Sequence, residues 1–380
     1  MYTGETSAGG VLVVAGEPSG DRAAARVVEA LDLFGEREVF GIGGDHLAAA
    51  GVHLVAHIGD LTALGIAESV GRFGAWCSAW ARLREQIDRR RPAAALLVDA
   101  PEVNLPLARV LSDKKIRVVQ YVGPQVWAWR RGRLRLLKER TDHVALVLPF
   151  EEDIYRRAGV KATYVGHPVL DEEPSAPRST VRKRLHLAKG TPLVALLPGS
   201  RTSEVESLCG PMTEAGLRLL REGICSVFAP APRAASPQTI TVARSAGCVV
   251  LPSEVTVRDL LGACDAAIVA SGTVTVEAAL EGAPMAVVYK IDRVSWAVAQ
   301  FAMDIPYIGL PNWIAGRVIV PELLQDQVTG QSIFDAARSL LQPDVAKSQR
   351  AELKKVTDSL GPPGVGKRVA AIIEGFLSNR

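Results

Sequence analysis

Several short stretches combine residue types and spacings suited to chemistry. Gly16-Glu17-Pro18-Ser19-Gly20-Asp21 follows the apolar run Val11–Ala15 and precedes an alanine-rich helical segment. The backbone N–H groups of such a turn can meet an anionic or polyhydroxyl ligand, and Ser19 or Asp21 can equally act as a helix N-cap. Asp99 ends a second apolar run, Ala94–Val98, and stands before Ala100-Pro101. A carboxylate with apolar flanks can have a raised pKa and take a proton from a sugar hydroxyl; it can also cap the turn before the proline. Spacing leaves both readings open. Pro198-Gly199-Ser200-Arg201 follows Leu193–Leu197. There glycine permits close approach, Ser200 can donate a hydrogen bond, and Arg201 can pair with a diphosphate through two parallel bonds. Ser271-Gly272-Thr273 opens a helical segment that carries Glu277. Small residues at a helix start suit a phosphate, and Glu277 could accept bonds from ribose hydroxyls. Either stretch alone could be a plain turn; together in one half of the chain they point to a nucleotide-diphosphate site. Neither Gly16–Asp21 nor Gly41-Ile42-Gly43-Gly44-Asp45-His46 completes the G-x-G-x-x-G spacing, which argues against a dinucleotide cofactor.

A different pattern lies between these turns. Ile66, Val70, Phe73, Cys77 and Trp80 recur at helical spacing with Trp76 beside them, just before Arg82, Arg84, Arg89, Arg90 and Arg91. Such a stripe packs into a core, or lies in a membrane interface. A second basic run, Arg130 to Arg140, could meet an anionic surface or form a solvated helix face.

These residues need a scaffold, and the sequence describes one. Buried-type apolar runs at Val11–Ala15, Val39–Gly44, Ala94–Val98, Val118–Val122 and His143–Leu148 alternate with amphipathic stretches, the pattern of a doubly wound parallel sheet. Three prolines and three acids between Gly166 and Pro177 read as a linker. The pattern then restarts at Leu193–Leu197, near Cys225–Ala229, Val249–Leu251, Ala266–Val269 and Met285–Tyr289. The expected fold is α/β, with two Rossmann-like domains over 1–168 and 169–354, and C-terminal helices over about 355–380 packing back on the first. Ligands are expected at the carboxyl ends of the strands, in a cleft between the halves.

Composition narrows the classes. The chain has 380 residues, 48% hydrophobic and 22% charged, which excludes a disordered or fibrous protein. Forty-four basic against 41 acidic residues give +3, too balanced for nucleic acid as the main partner. Five widely spaced cysteines without a C-x-x-C pair argue against a disulfide framework or structural zinc and fit a reducing compartment. Val11–Ala15 is too short for a signal peptide, and no apolar stretch of about 20 residues exists to span a bilayer. The expectation is a cytoplasmic protein.

The ordered motifs also resemble those of the lipid-A-disaccharide synthase family, inverting glycosyltransferases of the two-Rossmann (GT-B) architecture. The matching stretches are Ala15–Asp21, Gly41–Gly44, Asp99–Asn104, Pro124–Trp129, Leu148–Glu151, Val165–Pro168, Leu197–Arg201 with Glu204, Ala270–Thr273 with Glu277, Leu310–Gly316 and Pro321–Gln325. The resemblance implies transfer of 2,3-diacylglucosamine from UDP-2,3-diacylglucosamine to 2,3-diacylglucosamine 1-phosphate, giving a β-1′,6-linked disaccharide 1-phosphate and UDP. It implies no metal or other cofactor, and action at the cytoplasmic face of the inner membrane as a peripheral protein. It puts Asp99 and Glu17 at the reacting centre and Arg201 and Asn312 on the UDP part, and it admits a homodimer with exchanged C-terminal parts. Under it Asp99 is the preferred base, His167 the rival, and Ile66, Val70, Phe73, Trp76 and Trp80 form a membrane-facing stripe. The family more often has Asp-Phe where this chain has Glu102-Val103, and the match after Glu206 is less clear. Two other classes remain open: a hydrolysing or epimerising UDP-sugar enzyme, and a non-catalytic lipid-binding protein.

Overall fold

The computed structural model describes residues 9–31, 37–62, 69–127, 132–232, 234–292, 296 and 306–378. The chain divides into two compact units, Met1–Glu172 with Pro362–Arg380, and Glu173–Gly361.

The first unit is built on a seven-stranded parallel sheet in the order β3-β2-β1-β4-β5-β6-β7. Its strands are β1 Val11–Ala15, β2 Val39–Gly43, β3 His53–His57, β4 Ala94–Val98, β5 Arg117–Tyr121, β6 His143–Leu146 and β7 Ala162–Tyr164. Every residue of β1 and β4 is buried, because helices cover both faces of a parallel sheet and leave no polar side. The order reverses between β1 and β4, which pair in register from Val11 with Ala94 to Ala15 with Val98. The turns that follow these two strands, beginning at Gly16 and Asp99, therefore leave the sheet side by side.

The second unit repeats the plan with a six-stranded parallel sheet, β10-β9-β8-β11-β12-β13. Its strands are β8 Leu193–Leu197, β9 Cys225–Phe228, β10 Val249–Val250, β11 Ala266–Ala270, β12 Met285–Tyr289 and β13 Glu322–Leu324. Leu193, Ala195 and Leu197 pack into one apolar layer, and Val194 and Leu196 into the other. This is the period-two alternation of a strand buried on both sides. The reversal falls between β8 and β11, with Leu197 paired to Val269.

The strands missing from the sequence reading, β3, β7 and β13, are short, border their sheets and are largely half-buried. Their apolar signal is weak because only part of each strand faces a core. Val122, expected to continue β5, turns out of it with φ of 59°.

The C-terminal helix Val365–Ser378 packs on helix Pro18–Ala30 and behind β4 and β5 of the first unit. Asp171, one of the acids of the proline-rich segment, fixes this return. Its carboxylate accepts from the N–H groups of Gly364, Val365 and Gly366 at 2.6, 3.1 and 2.7 Å. It satisfies amides that a helix start otherwise leaves without partners. Arg368 adds a bond from Nε to the Val165 carbonyl at 2.7 Å.

Ile66 lies outside the described residues, and so do the side chains of Val70, Phe73 and Trp76, which belong to helix Ser69–Arg90. Trp80, the last position of the stripe, is half-buried: one side packs on the core that Leu83, Ile87 and Val118 share, and the rest stays accessible. The neighbouring Arg82, Arg84 and Arg89 are exposed, and Arg90 pairs with Glu38. Among the described residues no helix is long and apolar enough to cross a membrane.

Candidate active site

Ligands of doubly wound sheets bind beyond the carboxyl ends of the strands, where strand order reverses. Both reversals are occupied by the turns that the sequence singled out. In the first unit, Gly16 follows β1 so closely against β4 that a methyl group there would stand 2.6 Å from the Ala100 Cβ. That approach requires glycine and presses the 16–21 turn onto the Asp99 turn.

Within the 16–21 turn the roles differ from those expected. Glu17, not Ser19 or Asp21, stands at the N-cap position of helix Pro18–Ala30, with Pro18 in the first turn. It makes no side-chain cap bond and is exposed, and Ser19 is half-buried. Asp21 is buried and faces away from solvent. Its carboxylate accepts from the N–H groups of Gly44 at 2.6 Å, His46 at 3.0 Å and Leu47 at 3.3 Å. Asp21 thus ties the Ala15–Asp21 and Gly41–Gly44 motifs together.

Asp99 is half-buried at the end of β4. It does not cap the following helix: the N-cap position of Pro101–Asp113 belongs to Ala100, without a side-chain cap bond. Asp99 and Ala100 are both left-handed, at φ of 50° and 41°. The Asp99 N–H donates to the Tyr121 carbonyl at 2.9 Å. The Asp99 carbonyl accepts from Asn104 Nδ2 at 2.7 Å and from Gln120 Nε2 at 3.2 Å. Sequence reasoning quoted Asn104 without giving it a role and missed Gln120. The available signal was a polar residue inside the otherwise apolar run Val118–Tyr121.

Two further motifs meet in this unit. Trp127 Nε1 donates to Glu151 Oε1 at 3.0 Å, and the Leu148 N–H donates to Oε2 at 3.1 Å. The Tyr155 hydroxyl donates to the Pro124 carbonyl at 2.8 Å, and Trp127 stacks edge-on to Phe150. Ala128 and Trp129 lie outside the described residues. Burial pushes the Glu151 carboxyl up from 4.5 to about 7 against the opposing pull of these hydrogen bonds. The folded chain therefore binds this proton more tightly than the unfolded chain, and stability falls as pH rises through that window. The difference is worth roughly 3 kcal/mol. Glu151→Gln keeps an acceptor for Trp127 and removes the titration. Denaturant unfolding across about pH 4.5 to 8 should show a flatter decline in stability for the variant; parallel curves would assign the slope to other groups.

His167 is buried, and burial lowers its imidazole to about 4. Its Nδ1 accepts from the Val169 N–H at 3.3 Å, capping the short helix Pro168–Asp171. A buried ring spent on a turn has a structural role.

In the second unit, Pro198–Arg201 joins β8 to the long helix Thr202–Arg221. Gly199 takes φ of 112°, and a methyl group there would lie 2.4 Å from Glu204 Oε2. Glu204 Oε2 accepts from the N–H groups of Ser200 at 3.1 Å and Arg201 at 3.3 Å. The carboxylate thus sits where an anion would meet the start of this helix. Ser200 is exposed, and the Arg201 side chain is 67% exposed, 3.9 Å from Glu204. Tyr289, at the end of β12, feels both charges: burial raises its hydroxyl, Glu204 adds to the rise and Arg201 opposes it.

Beside β8, Ser271 follows β11. Its hydroxyl donates to the Ile308 carbonyl at 2.9 Å, Gly272 has φ of 149° and Thr273 is exposed. Glu277 is buried in helix Val274–Leu280. Asn312 is fully buried, and both ends of its amide are used inside the unit. Nδ2 donates to the Val320 carbonyl and to Glu322 Oε1, and Oδ1 accepts from the N–H groups of Ile319 and Val320. Glu322 in turn accepts from the N–H groups of Ile308 and Gly309. As it stands, Asn312 braces the 308–322 segment and offers no polar atom outward. The structure thus gathers Gly16, Glu17 and Asp99 at one reversal, and Ser200, Arg201, Glu204, Ser271, Gly272 and Thr273 at the other.

Comparison with known proteins extends these observations. A family model described as lipid-A-disaccharide synthetase matches residues 11–370. The lipid-A-disaccharide synthase of Myxococcus xanthus (strain DK1622) is 39% identical over 376 residues, covering 97% of each chain. That of Syntrophus aciditrophicus (strain SB) is 38% identical over 372 residues, 95% of this chain and 96% of its own. Among solved structures, a putative UDP-N-acetylglucosamine 2-epimerase from Listeria monocytogenes aligns with a TM-score of 0.67 at 14% identity, over 98% of this chain and 97% of its own. The calicheamicin glycosyltransferase aligns with a TM-score of 0.62 at 13% identity, over 98% and 99%. At such identities these two show the fold, a pair of Rossmann-like units shared by glycosyltransferases and epimerases.

Proposed function

The chain belongs to the lipid-A-disaccharide synthase family, enzymes of lipid A biosynthesis, and from that premise we propose that it transfers 2,3-diacylglucosamine from UDP-2,3-diacylglucosamine to 2,3-diacylglucosamine 1-phosphate, forming the β-1′,6-linked disaccharide 1-phosphate and UDP. The observation that carries the reading is the pairing of each strand-order reversal with a turn of the matching chemistry. Carboxylates stand at β1 and β4, and a cation beside a helix start stands at β8.

In this reading Asp99 removes the proton from the attacking 6-hydroxyl of the acceptor, and Glu17 orients that acceptor beside it. Ser19 and the backbone of the 16–21 turn meet acceptor hydroxyls, while Asp21 acts indirectly by holding that turn. Arg201, with Ser200, binds the diphosphate and stabilises the charge that develops on the departing UDP. Ser271, Gly272 and Thr273 line the nucleotide, Glu277 accepts from the ribose hydroxyls, and Asn312 supports the nucleotide side by bracing its segment. No metal or other cofactor takes part: the charge of the leaving group is met by the guanidinium and by backbone donors.

Both substrates carry two acyl chains, so the enzyme must reach them at a bilayer. Ile66, Val70, Phe73, Trp76 and the accessible side of Trp80 are proposed as the contact with the inner face of the inner membrane, and the protein as cytoplasmic and peripheral there. Replacing Val70, Phe73 and Trp76 by Ser should release the protein from sedimented anionic vesicles while it remains folded. Unfolding of the triple variant would make the stripe core. A homodimer with exchanged C-terminal parts is the family's alternative assembly, and light scattering at several concentrations decides it.

The activity is tested by incubating the protein with both lipid substrates in mixed micelles. Equal amounts of disaccharide 1-phosphate and UDP are expected. UDP without disaccharide would indicate a hydrolase, a changed sugar in the recovered UDP-sugar an epimerase, and no turnover a binding protein; each overturns the proposal.

A further inference from the structure

The backbone beside Asp99 is costly. Asp99, Ala100 and Val122 all have positive φ, at 50°, 41° and 59°. The left-handed region is disfavoured for an ordinary residue, and a β-branched valine there is an outlier. These residues lie at the ends of the neighbouring strands β4 and β5. Two buried amides hold them. Asn104, fully buried, donates Nδ2 to the carbonyls of Val98 at 3.0 Å and Asp99 at 2.7 Å. Gln120, 1% exposed, directs Nε2 at the carbonyls of Asp99, Tyr121 and Val122 at 3.2, 3.3 and 3.4 Å.

Every one of these partners is an acceptor, so neither amide can be flipped without facing oxygen to oxygen. The assignment of nitrogen and oxygen follows from the chemistry. The consequence is that Asn104 Oδ1 and Gln120 Oε1 are both buried and accept no hydrogen bond from the described residues. A buried acceptor without a partner gives up its hydration and gains nothing in return. An arrangement serving stability alone would place apolar side chains here and let the turn relax. Strain and unsatisfied polar atoms gathered around one carboxylate are instead what a fixed working geometry requires.

We propose that Asn104 and Gln120 are positioning residues: together they clamp the Asp99 carbonyl and so lock the left-handed turn that presents the Asp99 carboxylate to the acceptor. The inference rests on the reading of Asp99 as the base, and it adds residues that act through Asp99 without touching substrate.

The test is a double-mutant cycle on the full chain, with turnover of the two lipid substrates and UDP affinity by calorimetry. Gln120→Met keeps side-chain length and removes the donor. Displacing a reacting group by about 1 Å costs on the order of 10²-fold, so kcat should fall by roughly 10- to 100-fold while UDP affinity stays within about twofold. Adding Gln120→Met to Asp99→Ala should lower kcat by less than about twofold further, because the clamp then has nothing to position. If Gln120→Met does not fold, Asn104→Leu, which is close in size and removes the donor without placing an oxygen against the carbonyls of Val98 and Asp99, takes its place in the cycle. Losses that multiply in the double variant, or weakened UDP binding in step with kcat, would make the amides merely structural and overturn the proposal. An inactive Asp99→Ala beside a fully active Gln120→Met defeats the clamp alone; near-normal turnover of Asp99→Ala defeats the base assignment and the clamp with it.

Discussion

Asp99→Ala is expected to lower kcat by about 10²–10⁴-fold, the usual cost of removing a general base, with UDP affinity nearly unchanged. An inverting displacement needs a group that takes the proton of the attacking hydroxyl on the side opposite the leaving group. Asp99 stands at the reversal of the first sheet, and Arg201 at that of the second, so the losses of the two variants should separate into chemistry and donor binding. Alanine has a drawback at this position. Aspartate and asparagine tolerate left-handed backbone better than alanine, so Asp99→Ala carries a stability loss of its own. Asp99→Asn removes that ambiguity: it keeps the shape and the tolerance for φ of 50° and removes the basic oxygen. Both variants should be inactive, and Asp99→Asn should melt within a few degrees of the parent. Near-normal turnover in Asp99→Asn, or a collapse in thermal stability large enough to explain the loss, would return Asp99 to a role in the turn.

The sheets were legible because their central strands are apolar on both faces. Val11–Ala15, Ala94–Val98, Leu193–Leu197 and Ala266–Ala270 are buried throughout, and a run of that kind admits few alternatives. Three of the four border strands were not: β7 and β13, for example, expose part of each residue and offer neither alternation nor a continuous apolar run. The turns with chemistry were legible by type and by their position after a central strand. What each side chain does within them was less so, because partners come from distant sequence. Asp21 serves amides more than twenty residues away, and Asp171 serves amides nearly two hundred residues away. Asn312 and Glu322 close a brace across a loop. A carboxylate or amide in a ligand-type motif reads alike whether it faces a ligand or a neighbouring backbone. Burial distinguishes the two, and one-dimensional spacing does not report it.

Arg201→Ala is expected to weaken UDP by about 1.5–3 kcal/mol, the range for a hydrogen bond to a charged group, or roughly ten- to 150-fold in Kd. The side chain is 67% exposed at the start of the helix Thr202–Arg221, so its removal creates no cavity and should leave the melting temperature in place. Glu204 sets the size of the effect. Its carboxylate lies on the N–H groups of Ser200 and Arg201, donors that a diphosphate would also seek. In the parent chain the arginine balances that negative charge; in Arg201→Ala it is left facing an incoming anion, which places the loss toward the upper end of the range. The same competition predicts the opposite sign for Glu204→Gln. That variant removes the charge opposing the diphosphate and should bind UDP as tightly as the parent or more tightly, at some cost to the helix start. Arg201→Lys should fall between parent and alanine, since it keeps the charge and loses the paired geometry. Calorimetry at two salt concentrations resolves these cases: the parent's advantage over Arg201→Ala should shrink as salt rises. An unchanged UDP Kd in folded Arg201→Ala would remove the diphosphate from this turn, and with it the assignment of the second reversal as the donor site.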